Sequence, residues 1–328
     1  MNEQHSRKTA VLFPGQGSQE PGMGRDVAEH WSEAMDLWKT AESVSGIPLR
    51  EIYWDSDEQA MAETRNLQPA LTVVNLGLWG LFRSQAGAHY LAGHSLGEYS
   101  ALIAAQVLDP RKGLELVALR GRLMSEAGSH QPGTMAAIVK LDQDQVEDLV
   151  RQSREDTGQE LVIANYNSPA QYVISGTEEA VATAASLAKE AKGRAIPLAV
   201  SAAFHSPLMA EAARELESAM QKVDWRDARI PVHLNLSAKP EVAGRRIQAA
   251  MARQMTSSVL WSQIMRDQWE QGVRTWYEVG PKGVLTKLLK MNLADKDEPF
   301  DAARVSSLEQ LDQHKSRPGN ESATTEAP

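Results

Sequence analysis

The sequence predicts an α/β protein: a large domain with a parallel sheet, interrupted by a smaller inserted subdomain. Short apolar runs typical of buried strands alternate with longer helical stretches over residues 9–131 and again over residues 201–300. This alternation is typical of a parallel sheet with helices on both faces. Residues 132–200 follow a different order of elements, and a chain of 328 residues is long enough to give each unit a core.

The first part of the large domain has clear strand and helix patterns. Thr9–Phe13 is an apolar run that stops at a glycine-rich loop, as a buried strand does. A helix is expected around Val27–Ser43. Gln68–Gln85 is dense in apolar side chains, which predicts a buried helix, and Tyr90–Gly93 is a second short strand.

The inserted segment has a β-α-β-β-α-β order, after which the pattern of the large domain returns at Val273–Val279 (strand) and Val284–Lys290 (helix). That order predicts a ferredoxin-like subdomain. Its predicted elements are Thr134–Leu141 (strand), Gln143–Arg154 (helix), Leu161–Ser175 (two strands), Glu178–Lys192 (helix) and Arg194–Val200 (strand).

Composition excludes several classes of function. Lys and Arg total 34 against 43 Asp and Glu, and a net charge of −9 disfavours binding to nucleic-acid phosphates. The absence of cysteine rules out disulfides, thiolate metal sites and a cysteine nucleophile. We therefore expect no metal site of that kind.

Neither end of the chain, nor its apolar stretches, indicates a membrane partner. Met1–Lys8 is polar, and the apolar stretch Ala70–Phe82 is too short to span a bilayer, so a cytoplasmic location is expected. Residues 314–328 contain no apolar side chain but alanine. This composition predicts a disordered tail outside the fold.

The segment Gly93–Gly97 has the pattern G-x-S-x-G, with Ser95 at its centre, between a predicted strand and a helix at Glu98–Ala105. This setting is that of a nucleophile elbow in an α/β-hydrolase-like domain. The turn also places the backbone N–H of Leu96 where it could stabilise an oxyanion. The alternative, a serine that only caps the helix, is disfavoured by the strand and helix on either side.

A serine nucleophile needs a base, and His205 is the best candidate among eight histidines. It follows a run of small residues just past the inserted subdomain, where the backbone could approach a pocket; a purely structural histidine is the alternative. A second loop, Gly15–Gln19, lacks the last glycine of a dinucleotide-binding motif, so a nucleotide site is not expected. Either it supplies an N–H to an anion or it is a simple tight turn.

Several motifs occur together in the order and spacing of malonyl-CoA:acyl carrier protein transacylases, a family that the chain resembles from about Thr9 to about Leu289. These motifs are Phe13–Gln19, Gly93–Ser100, Arg120–Met124, Asn165–Pro169, Phe204–Ser206 and Glu278–Pro281.

The resemblance implies a role for each candidate residue. Ser95 would be acylated and His205 would be its base, with the second ring nitrogen oriented by the backbone carbonyl of Gln254. The backbone N–H groups of Gln16 and Leu96 would form the oxyanion hole. Arg120 would hold the free carboxylate of the malonyl group, a task suited to a planar guanidinium.

The resemblance also implies what the chain binds. The partners would be a coenzyme A thioester and an acyl carrier protein, and the chain would be a monomer. No cofactor is implied, because malonyl-CoA is a substrate and the phosphopantetheine belongs to the carrier protein. Fatty-acid and polyketide synthesis would need the same residues, and Phe204 resembles the malonyl-selecting form among polyketide acyltransferases.

Two departures from the family pattern stand out: Ser257-Ser258 replaces the usual Asn-Pro before Val259, and Lys282 comes one place early. Neither removes a reacting side chain. Two other functions remain open, a serine acyl hydrolase or thioesterase and an inactive scaffold that docks carrier proteins. Arg120 argues against a hydrolase of uncharged acyl chains, and the presence of both Ser95 and His205 argues against a scaffold.

Overall fold

The computed structural model describes residues 7–55, 58–200 and 202–315. Its strands form two sheets, one of six strands and one of four. In chain order the strands are β1 (Lys8–Phe13), β2 (Tyr90–Gly93), β3 (Thr134–Val139), β4 (Leu161–Ser168), β5 (Gln171–Gly176), β6 (Arg194–Pro197), β7 (Val232–His233), β8 (Pro240–Glu241), β9 (Val273–Val279) and β10 (Asp301–Val305).

The helices of the described residues lie on both faces of the large sheet and on the small one. In chain order they are α1 (Arg25–His30), α2 (Ser32–Ser45), α3 (Leu49–Trp54), α4 (Glu58–Ala62), α5 (Thr64–Ala86), α6 (Gly97–Ala104), α7 (Pro110–His130), α8 (Gln143–Thr157), α9 (Glu178–Glu190), α10 (Ala210–Met220), α11 (Gly244–Gln254), α12 (Trp261–Glu270), α13 (Val284–Asn292) and α14 (Leu308–Lys315), with one 3₁₀ turn at Pro207–Met209.

The large sheet confirms the predicted α/β architecture. Its strand order is β10-β9-β1-β2-β7-β8, and all neighbours are parallel except β7 and β8. The side chains of β1 alternate between its faces: Val11 and Phe13 join one apolar cluster, while Ala10 and Leu12 join another. Since all four are fully buried, β1 is a central strand covered on both sides, as its unbroken apolar run predicts.

The inserted segment forms a separate antiparallel sheet in the order β4-β5-β3-β6, with α8 and α9 packed on it. This arrangement confirms the predicted ferredoxin-like subdomain. Helix α8 begins with a capping box, in which Asp142 accepts from the N–H of Gln145 and the Gln145 side chain accepts from the N–H of Asp142. It ends at Gly158, whose φ of 66° suits glycine.

Two predicted boundaries differ from the structure. The helix expected around Val27–Ser43 is two helices, because Trp31 between α1 and α2 is extended and its ring packs directly on Gly80. The large domain also continues past residue 300, since β10 pairs with β9 and α14 follows it. His314, where the predicted tail begins, lies in that helix. The rest of the predicted tail, from residue 316, lies outside the described residues.

The buried side chain of His233, which lies beside Asp267 in the large domain, is expected to make stability depend on pH. His233 on β7 is fully buried and its Nε2 lies 3.0 Å from Asp267, which also pairs with Lys239. Burial lowers the pKa of His233 from 6.5 to about 4. The unfolded chain therefore binds a proton that the folded chain does not, and the stability present above pH 6.5 is lost as the pH falls towards 4.

Replacing His233 with glutamine, which can still donate to Asp267, is expected to remove this part of the pH dependence. The difference in proton binding between the folded and unfolded chain predicts that His233 accounts for about 2 kcal/mol of the free energy of unfolding lost between pH 7.5 and pH 5. Urea unfolding of both proteins at the two pH values measures the difference. An equal loss of stability in the variant would contradict this assignment.

Candidate active site

Ser95 sits at the turn between β2 and α6, at the carboxyl end of a central strand. Its φ of 51° is unusual for a residue with a side chain, and such strain is often found at functional sites. The two glycines of the motif are required by space: a Cβ on Gly93 would overlap the Gly97 carbonyl, and one on Gly97 would overlap the Phe13 carbonyl of β1. The chain can therefore form this tight turn, which leaves Ser95 partly exposed, only with glycine at both positions.

His205 lies beside Ser95, with 2.7 Å between its Nε2 and the serine Oγ. Its Nδ1 is 3.1 Å from the carbonyl oxygen of Gln254 and 3.0 Å from that of Ser257. Since a carbonyl can only accept, Nδ1 carries the hydrogen and Nε2 is free to accept the serine proton. Burial, helped by the charge of Arg120, lowers the pKa of His205 to about 3, so the resting imidazole is neutral.

The second carbonyl comes from a position where the chain departs from the family pattern. The resemblance implied Gln254 as the orienting residue, and sequence reasoning missed Ser257. The neighbouring Ser258 hydroxyl donates to the Ile163 carbonyl at 2.6 Å, which ties this segment to β4 of the small subdomain. The Ser258 hydroxyl thus helps to hold the segment that carries the Ser257 carbonyl.

Arg120 on α7 is 1% exposed and points at the nucleophile. Its Nη1 donates to the Gln68 side chain at 2.8 Å, and its Nη2 lies 3.2 Å from both Ser95 Oγ and Gln254 Oε1. The guanidinium is 5.7 Å from the centre of the Tyr99 ring, and its Nε has no hydrogen-bond partner. Within residues 7–55, 58–200 and 202–315 it forms no ion pair with a carboxylate at 4.0 Å or less. Arg120 is thus a buried cation in direct contact with no carboxylate of the described residues, and the acidic side chain of Glu98 reaches it only through the Gln254 amide.

The loop after β1 lies against the elbow. A Cβ on Gly15 would overlap the His94 carbonyl and come within 3.6 Å of the Leu96 nitrogen. In the described part of the chain, neither the Gln16 N–H nor the Leu96 N–H donates to a protein acceptor. Both N–H groups thus belong to adjoining loops beside Ser95, and their role as an oxyanion hole stays a prediction.

Two further residues, Asn235 and Glu98, hold the elbow, and sequence reasoning did not identify either as part of the site. Asn235 accepts from the Ser95 N–H at 2.7 Å through Oδ1 and donates to the Gly93 carbonyl at 2.7 Å through Nδ2. Its own N–H donates to the buried carboxylate of Glu98. Asn235 is separated from Ser95 by 140 residues and lies in a segment without a motif, so no local signal could have identified it.

The inserted subdomain reaches the site through His94. Its Nε2 lies 2.8 Å from the Asn167 side chain at the end of β4, and its ring packs edge-on against Trp261. Ser175 on β5 donates to the Phe204 carbonyl, next to the catalytic histidine candidate. The site is therefore built by both units.

No group of three or more His, Asp or Glu side chains that could hold a metal ion is found among the described residues. Nor do these residues include a helix that is long and apolar enough to cross a membrane. The groups brought together are a serine, a neutral histidine that can take its proton, two backbone donors and a buried cation. This set can perform acyl transfer through a covalent serine ester.

Comparison with family models and curated proteins points to the same chemistry. Residues 11–322 match the model of the acyl transferase domain. The chain is 41% identical over 289 residues to a malonyl CoA-acyl carrier protein transacylase from Synechocystis sp.. The aligned region covers 88% of this chain and 94% of the relative. It is 38% identical over 285 residues to the transacylase of the same name from Bacillus subtilis, covering 86% and 90%.

Solved structures agree with this result. An acyl carrier protein S-malonyltransferase from Vibrio cholerae is 35% identical with a TM-score of 0.86, over 93% of this chain and 99% of that one. A malonyl-transacylase in complex with its type II polyketide synthase acyl carrier protein is 34% identical with a TM-score of 0.87, over 94% and 98%. The resemblance seen in the motifs is confirmed, and the chain belongs to the acyl transferase domain family.

Proposed function

We propose that this chain is an acyl-carrier-protein S-malonyltransferase, which moves a malonyl group from malonyl-CoA to the phosphopantetheine thiol of an acyl carrier protein for fatty-acid or polyketide synthesis. The curated relatives described above carry the name malonyl CoA-acyl carrier protein transacylase, and one of the solved relatives is in complex with its acyl carrier protein. Malonyl-CoA is a substrate, so no cofactor is proposed. The proposed location is the cytoplasm.

The observation that carries the proposal is the buried, unpaired cation of Arg120. An ester on Ser95 lies next to the guanidinium, because Nη2 is 3.2 Å from the oxygen that would carry the acyl group. A malonyl ester ends in a carboxylate, which would supply the anion that this cation lacks. An uncharged acyl group would leave the guanidinium buried without direct contact with a carboxylate, which is costly.

The reaction has two half-reactions at one site. Ser95 Oγ attacks the thioester carbonyl of malonyl-CoA while His205 Nε2 takes the hydroxyl proton, and the proton then passes to the departing coenzyme A thiolate. In the second half, the carrier thiol gives its proton to His205 and attacks the serine ester, and Ser95 regains its proton as the malonyl group leaves. The N–H groups of Gln16 and Leu96 stabilise the oxyanion in both halves.

The first test is intact-mass measurement of the protein after mixing with malonyl-CoA. A single malonyl adduct is expected, localised to Ser95 by peptide mapping, stable in buffer and discharged on addition of holo acyl carrier protein. Apo carrier protein, which lacks the phosphopantetheine thiol, is the control and should leave the adduct in place.

Two outcomes would contradict malonyl transfer. Rapid release of malonate to water with no transfer to the carrier would indicate a serine acyl hydrolase or thioesterase. Absence of any adduct would indicate an inactive docking protein.

A further inference from the structure

Glu98 is a fully enclosed carboxylate that takes no direct part in the reaction described above. It is 1% exposed and lies in the first turn of α6. Its Oε1 accepts from the N–H of Asn235, and its Oε2 accepts from Nε2 of Gln254, both at 2.9 Å. Each of these partners touches the reactive groups, so Glu98 connects two parts of the site that are far apart in sequence.

The Gln254 side chain is the more informative partner. Its Nε2 donates both to Glu98 and to the Ser95 carbonyl, while its Oε1 accepts from Nη2 of Arg120 at 3.2 Å. An amide has a donor end and an acceptor end that are almost the same in shape, so its orientation is set by its neighbours. With the amide reversed, the NH₂ group of Gln254 would face the guanidinium, and two donors would oppose each other.

The carboxylate at position 98 opposes that reversal together with the Ser95 carbonyl, which also accepts from Nε2 of Gln254. Both of its oxygens only accept when it is ionised, so Gln254 must turn its NH₂ group towards Glu98 and its oxygen towards Arg120. Burial raises the pKa of Glu98 to about 7, while the donors on Gln254 and Asn235 and the charge of Arg120 oppose that rise. At pH 8 most Glu98 side chains are therefore ionised and act only as acceptors.

We propose that Glu98 is a positioning residue for the carboxylate clamp: it fixes the amide of Gln254 so that Arg120 is held in the orientation that receives the free carboxylate of the acyl group. This inference rests on the proposed function, because only an acyl group with a free carboxylate, such as malonyl, would be bound by Arg120. Glu98 forms no hydrogen bond with Ser95 Oγ or His205, and its hydrogen bonds to the site run through Gln254 and Asn235.

The variant Glu98→Gln tests the idea with almost no change in shape. The N–H of Asn235 belongs to the backbone and cannot reverse, so the oxygen of the new amide will stay with it. Its NH₂ group then faces the NH₂ group of Gln254. The Gln254 amide must turn or move away, and either change disturbs its contacts with the Ser95 carbonyl and with Arg120. The backbone carbonyl of Gln254 still orients His205, so the nucleophile and its base should keep their reactivity.

The measurement compares three reactions of Ser95 at pH 8: acylation by malonyl-CoA, acylation by acetyl-CoA and sulfonylation by phenylmethylsulfonyl fluoride. Rates are normalised to the fraction of chains that react at the end point, which corrects for misfolded protein. In Glu98→Gln the malonyl rate is expected to fall about 10- to 100-fold, the scale of a lost hydrogen bond to a charged group. The other two rates should stay within about threefold of wild type.

Glu278→Gln is the matched control, because Glu278 is also a 1%-exposed carboxylate and accepts from Thr286, outside the site. It should leave the ratio of malonyl to acetyl rates unchanged. An unchanged ratio in Glu98→Gln as well, or an equal fall of all three rates, would overturn the proposal and leave Glu98 a structural residue. Loss of malonyl transfer in the wild type would instead refute the proposed function.

A second readout does not depend on transfer. Free malonate should protect Ser95 of the wild type from the sulfonyl fluoride by occupying the clamp, and the concentration that halves the labelling rate should rise about tenfold or more in Glu98→Gln. Equal protection of the two proteins would contradict a role for Glu98 in binding the carboxylate, whatever acyl group the enzyme transfers.

Discussion

Replacing His205 with asparagine is expected to lower the rate of Ser95 malonylation by about 10² to 10⁴-fold, the usual contribution of a general base. His205 Nε2 is the group at hydrogen-bond distance from the serine oxygen that can accept its proton, and the asparagine side chain cannot take over this role. Asparagine is preferred to alanine because residue 205 has a φ of 57°, a conformation that asparagine tolerates better than most residues.

Stopped reactions analysed by intact mass give this rate. Ser95→Ala supplies the baseline, because it lacks the oxygen that carries the ester and should form no adduct at all. A His205→Asn enzyme that loads malonyl within tenfold of the wild-type rate would show that another group removes the proton.

Replacing Arg120 with alanine is expected to reduce malonyl loading roughly 10²- to 10⁴-fold, while acetyl loading changes little. Removing one partner of a buried charged pair costs roughly 3 to 5 kcal/mol, and here the pair exists only when the malonyl carboxylate is bound. The variant should therefore lose its preference for malonyl-CoA over acetyl-CoA. Single-turnover rates with the two thioesters measure the ratio directly.

The control is a second, mostly buried arginine that lies outside the site. Arg274 is 15% exposed, stacks on Trp269 and pairs with Glu298, but takes no part in the site. Arg274→Ala should lower stability without changing the malonyl-to-acetyl ratio. If Arg120→Ala kept the wild-type ratio, the malonyl carboxylate would have to be held elsewhere and the proposed function would lose its main support.

The local parts of the fold could be predicted because their signals lie within a few residues. The unbroken apolar run at Thr9–Phe13 indicated a central strand, and the β-α-β-β-α-β order indicated the small sheet. Prediction failed where a long-range contact of one side chain set a helix boundary. Trp31 separates α1 from α2, and its ring packs on Gly80 of α5. Likewise, the apolar pattern of Asp301–Val305 is too weak to predict a strand. This segment is identified as β10 only by its pairing with β9.

The sequence by itself determined the reactive centre of this protein: the turn that exposes Ser95, the histidine at 205 and the arginine at 120, because motifs mark each of them. Tertiary structure alone decided how they are held. Asn235 and the Ser257 carbonyl carry no local signature. Glu98 lies within the Gly93–Ser100 motif, but the motif does not show which groups its carboxylate meets. Those groups are 140 residues away for Asn235 and Ser95, and 156 for Gln254 and Glu98, and only the packed fold brings them within hydrogen-bond distance.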